Sequence, residues 1–92
     1  MKFMVTWSYP ADRWQAVYSR WSEGHRKPLE KPGCTFLGKW HGVAANRGFM
    51  LYDVEDSAAF SEVLSEWNDL IDYEITLVNA DEDIPDDYRF EQ

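Results

Sequence analysis

Residues 38–54, Gly38-Lys39-Trp40-His41-Gly42-Val43-Ala44-Ala45-Asn46-Arg47-Gly48-Phe49-Met50-Leu51-Tyr52-Asp53-Val54, hold two strand-forming runs separated by a Gly/Ala/Asn loop, the pattern of a β-hairpin. The second run is apolar on both faces, with Phe49 and Leu51 on one and Met50, Tyr52 and Val54 on the other. Such a strand belongs in the middle of a sheet, covered from both sides. The first run begins at Cys34 and alternates, with Phe36, Gly38 and Trp40 on one face and Leu37, Lys39 and His41 on the other. Around the loop, Trp40, His41 and Arg47 bring together an aromatic face, a titratable imidazole and a fixed cation.

Upstream, Phe3, Val5 and Trp7 alternate with Met4, Thr6 and Ser8, a half-buried strand over residues 2–8. Pro10 and Asp12 suit a first helical turn, and Trp14, Val17, Tyr18 and Trp21 recur at helical spacing. A helix is therefore predicted over residues 10–23, closed by Gly24. Residues 25–33 carry His25, Arg26, Lys27, Lys31 and two prolines and read as a basic loop. Downstream, Asp56 is a good N-cap, and Phe60, Val63, Leu64 and Trp67 repeat the apolar stripe on a second helix ending near Asn68. Residues 70–78 form a fourth strand with Ile71, Tyr73, Ile75 and Leu77 inward, and residues 79–92 an acidic tail with Ile84, Tyr88 and Phe90 as candidate anchors.

The order β-α-β-β-α-β, with right-handed crossovers, puts two helices on one face of a four-stranded antiparallel sheet in the order 4-1-3-2. This is an α+β, ferredoxin-like sandwich, one domain over residues 1–78 followed by the tail; the chain is too short for a second. The other sheet face is left bare, with Met4, Thr6, Leu37, part of the third strand and Val78 at or near it. That patch is too apolar for a comfortable monomer, so a second copy is expected to cover it, making a homodimer through the open sheet face.

Cys34 is the sole cysteine, which rules out an intramolecular disulfide and suits a reducing, cytoplasmic setting. No run approaches the roughly 18 apolar residues of a membrane span, and the first residues lack the apolar core of a signal peptide. Net charge is −8 but unevenly placed: residues 1–52 hold eight Lys/Arg and three Asp/Glu, or +5, and residues 53–92 hold one Arg and fourteen acids, or −13. The acidic half keeps a small protein soluble; the basic half can also bind an anion or the acidic half of a second copy.

His41 can serve as a general acid or base, and Arg47 across the hairpin can hold a carboxylate or phosphate. Trp7, Trp40 and Trp67 can line a pocket between helices and sheet with Asn68 at its mouth, although tryptophans at such spacing are more often plain core. No metal signature is present: His25 and His41 stand alone, and the acidic run at 81–83 lacks the spaced ligands of a calcium loop. Arg47-Gly48-Phe49 matches the opening of an RNA-recognition strand, but Met50 and Leu51 break the match and the net charge opposes phosphate binding.

Three stretches, Met-Lys-Phe-Met-Val-Thr-Trp at residues 1–7, Leu-Gly-Lys-Trp-His-Gly at 37–42 with Arg-Gly-Phe at 47–49, and Glu-Trp-Asn-Asp-Leu-Ile-Asp-Tyr-Glu-Ile at 66–75, resemble a family of small uncharacterised proteins grouped as a domain of unknown function. The resemblance runs to about Val78 and implies the dimeric α+β barrel group, which includes stress-response proteins, cofactor-free monooxygenases and haem-degrading enzymes. Such scaffolds host unrelated activities. The expectation is a dimer that binds a small anionic or aromatic molecule near the second and third strands, with Trp7, Trp40, His41, Arg47, Trp67 and Asn68 as candidate contacts and no cofactor or metal. A monooxygenase-like enzyme with His41 as base, and a structural or regulatory dimer that binds other proteins, are the alternatives.

Overall fold

In a computed structural model the chain forms β1 (Lys2–Ser8), α1 (Trp14–Ser22), β2 (Cys34–His41), β3 (Arg47–Val54), α2 (Ser57–Ser65) and β4 (Asp72–Val78). Short 3-10 turns at Ala11–Arg13 and Asp81–Asp83 precede α1 and follow β4. The structure describes residues 1–24 and 29–85. His25, Arg26 and Lys27 of the expected basic loop, and Tyr88 and Phe90 of the tail, lie outside the described residues.

The strands form one sheet in the order β2-β3-β1-β4, antiparallel at every pairing, so the class is α+β with two helices. β1 lies between β3 and β4, with Lys2 opposite Asp53 and Val78, and Ser8 opposite Arg47 and Asp72. The loop Gly42 to Asn46 is closed by the Gly42 N–H donating to the Arg47 carbonyl at 2.8 Å.

All large buried side chains lie on one sheet face. Val5 and Trp7 of β1, Cys34 of β2, and Met50, Tyr52 and Val54 of β3 meet Ala59, Phe60, Val63 and Leu64 of α2. Phe60 stacks on Phe3 at 5.4 Å between ring centroids and contacts Tyr52 at 5.7 Å. The Asp56 carboxylate accepts the Ala58 N–H at 2.9 Å, which caps α2. Helix α1 is shorter than the predicted residues 10–23: the first turn tightens into 3-10 geometry, and the α-helical part buries none of its residues.

Two expectations are corrected. A β-bulge between Phe36 and Gly38 breaks the alternation of β2: Phe36 faces Tyr52, and Gly38, not Leu37, faces Leu51. Lys39 and His41 therefore fall opposite Met50 and Gly48 on the helix side with Cys34 and Phe36, whereas Gly38 and Trp40 turn to the open side. Second, β3 is interior in the sheet but, among the described residues, covered on one side only, for Phe49 is 36% exposed and Trp40 beside it 52%. On β4, Ile75 and Leu77 sit on the helix side opposite Val5 and Phe3 yet stay about half exposed, because the helices lie toward the other strands.

Gly48 is set by packing. A Cβ there would overlap the Trp7 ring and the Trp40 carbonyl oxygen, so the indole lies directly on the β3 backbone. Gly48→Ala should therefore cost about 1–3 kcal/mol, the usual range for overpacking a core. Urea denaturation checks this by a lower midpoint at unchanged slope; an unaltered midpoint would show that Trp7 does not rest on β3.

Candidate functional site

Between α1 and the sheet lies a half-open cavity of about 420 Å3. Its roof is the α1 stripe of Trp14, Val17, Tyr18 and Trp21, and its floor is Trp7, Met50 and Tyr52 from β1 and β3. Lys39 and His41 of β2 stand at one side, and Trp67, Ile71 and Tyr73 at the other. Three bulky aromatics in the stripe hold the helix away from the sheet, so the face meant for burial walls a space instead: Trp14 is 50% exposed and Tyr18 44%.

Two arginines tether α1 along one flank. Arg20 donates both arms to Asp69 at 2.7 Å, reaches the Glu66 carbonyl at 3.2 Å, and lies 5.3 Å above the Trp67 ring. Arg13 donates to the Leu70 carbonyl at 3.3 Å and approaches Asp72 at 3.9 Å. The fork geometry fixes orientation more than it adds stability, because the pair is exposed to solvent. The hydrogen bond from Arg20 holds the Asp69 carboxyl below its ordinary range.

The polar groups at the cavity share one character. Trp7 is 7% exposed, and its indole nitrogen has no acceptor among the described residues. The Lys39 ammonium lies 5.5 Å from the Trp7 ring centroid and forms no ion pair among those residues. Although the residue is exposed, partial desolvation by the surrounding protein lowers its pKa. His41 makes edge contacts with Trp7 at 5.3 Å and Trp21 at 6.5 Å; burial, then repulsion from Lys39, lowers its pKa and favours the neutral ring. Burial pushes Tyr73 up to about 12 and Tyr52 higher still, so both remain neutral phenols. Seventeen acids occur in the chain, and none of those among the described residues lines the cavity.

Of the six residues that the sequence proposes as contacts, Trp7, His41 and Trp67 line this cavity. Trp40 does not, since adjacent strand residues point oppositely and the bulge gives His41 the helix side; its ring covers Gly38 on the open face, 2.7 Å from where a Cβ would stand. Arg47 pairs in register with Ser8, lies 5.9 Å over Phe49, and belongs to a shallow cleft that also contains Asp72 and Glu74. Asn68 follows α2, its N–H donating to the Ser65 carbonyl at 3.4 Å, and is not in the lining. Sequence reading left out Lys39, which a strictly alternating strand places away from Phe36. It also left out the α1 stripe as a wall, although three large rings in one stripe signalled a helix too bulky to dock closely.

Among the described residues, no group of three or more His, Cys, Asp or Glu is placed to hold a metal ion. Cys34 is fully buried; burial and then Glu30 push its thiol pKa up, the opposite of a reactive cysteine. No helix among these residues is long and apolar enough to cross a membrane.

The chain belongs to the family described as a domain of unknown function (DUF3303), which matches residues 1–86. Neither a curated protein nor a solved structure matches it.

Proposed function

We propose that this member of the family is a small-molecule-binding protein whose ligand occupies the space between α1 and the sheet. The observation that carries the reading is the cavity itself: about 420 Å3, walled by aromatic and aliphatic side chains and furnished with a few polar groups. Small-molecule sites are of that kind, roughly 300–1,000 Å3, mostly apolar, with sparse polar groups to fix orientation. A ligand there covers the half-exposed Trp14 and Tyr18 rings and restores the apolar contact that the two layers do not make with each other. Trp7, Trp67 and His41 are its proposed contacts.

Binding is favoured over catalysis by His41. A general base is normally oriented by a hydrogen bond to its second nitrogen. Among the described residues His41 has aromatic neighbours and no hydrogen-bond partner.

The proposal extends to a homodimer of ferredoxin-like, α+β barrel type, in which the open sheet faces pack together. Trp40, Phe49 and Leu51 supply its apolar centre. Arg47, with Asp72 and Glu74 on the same face, makes the surface complementary in charge to a copy of itself.

Isothermal titration with naphthalene-2-carboxylate, its neutral carboxamide and naphthalen-2-ylmethylammonium should give saturable binding of at least one, at one site per chain. Val17→Trp, which fills the cavity from α1, should weaken it at least tenfold with the thermal melt retained; no saturable binding, or binding indifferent to the filled cavity, would refute the pocket. In sedimentation at micromolar concentration the protein should run as a dimer and Phe49→Asp as a monomer. A monomeric wild type would refute the interface.

A further inference from the structure

We infer that the cavity selects an aromatic anion, whose acidic group pairs with the Lys39 ammonium while its rings lie between the α1 stripe and the sheet. The inference rests on the pocket reading above and adds the chemical class of the ligand.

Two observations point the same way. Lys39 is the one Lys or Arg of the lining among the described residues; its ammonium stands over the Trp7 ring and forms no ion pair with them, so an acidic group on a ligand finds a counter-charge at the side of the cavity. Second, in a chain of net charge −8 none of the described acids lines the cavity. An anion repelled by the net charge of the chain therefore meets a cation with no competing carboxylate in this lining.

The competing class is a cation, because aromatic walls attract one through their faces. Here that place is taken. Lys39 already lies over the Trp7 ring, and a second cation would be repelled by it. Nor does Arg47 offer an equal anion site, since its cleft on the opposite face includes Asp72 and Glu74.

The naphthalene series separates this inference from the pocket itself, because its members share one ring system and differ in charge. The carboxylate should bind about tenfold or more tighter than the carboxamide, which is the scale of one charge-assisted contact, and the ammonium compound weakest. Lys39→Met should remove that preference, lowering carboxylate affinity about tenfold with little effect on the carboxamide, and Lys39→Arg should restore most of it. Equal binding of carboxylate and carboxamide, or a preference that survives Lys39→Met, would overturn the inference and leave the pocket standing. Binding led by the ammonium compound would replace it with a cation site, and no binding of any of the three would remove pocket and inference together.

Discussion

The rest of the site depends on one close approach, the Trp7 indole laid on the β3 backbone at Gly48. With no side chain at that position the ring can lie flat against the strand and become the floor of the cavity. Tyr9 stacks parallel to it at 6.3 Å, His41 meets its edge, and the Lys39 ammonium stands over it. A β-carbon at Gly48 would lift the ring and move all three. The same contact buries the indole N–H out of reach of an acceptor, so the feature that builds the floor also creates its unmet hydrogen-bonding demand.

The two helices divide the work because their stripes differ in shape. In α2, Ala59, Phe60, Val63 and Leu64 interleave with Phe3 and Tyr52, a close-packed contact that anchors the fold. In α1, Trp14, Tyr18 and Trp21 are too large to interleave in that way, and the rings tilt against one another along the helix. Arg13 and Arg20 then fasten α1 to the segment between α2 and β4 and keep it spanning the sheet. The result is a stable half under α2 and an open half under α1.

Much of the fold was legible in the residues. The apolar stripes and strand alternation located six elements, Asp56 marked the start of α2, and the two-faced pattern of 47–54 put that strand inside the sheet. The face of each β2 residue was not legible, because a bulge is a decision of pairing rather than composition; one extra residue at Leu37 exchanged the sides of Lys39, Trp40 and His41. Hence the trio around the hairpin loop was split across the sheet, while Trp7 and Trp67, far apart in sequence, came to one cavity. Burial also surprised in a physical way: β4 has the right alternation, but exposure of Ile75 and Leu77 depends on where the helices end.

The charge pattern gains meaning from the same geometry. The basic first half of the sequence contributes Lys39 to the cavity and Arg47 to the opposite face, while the described acids of the second half lie outside the cavity lining, with Asp69 holding Arg20. The most direct test of the account is the indole N–H region of a proton–nitrogen correlation spectrum, where five tryptophans give five signals, recorded while naphthalene-2-carboxylate is added. The account predicts that the signals of the cavity tryptophans Trp7 and Trp67 shift while Trp40 stays in place. Movement of Trp40 with an unmoved Trp7 would put the ligand on the other face of the sheet and contradict it.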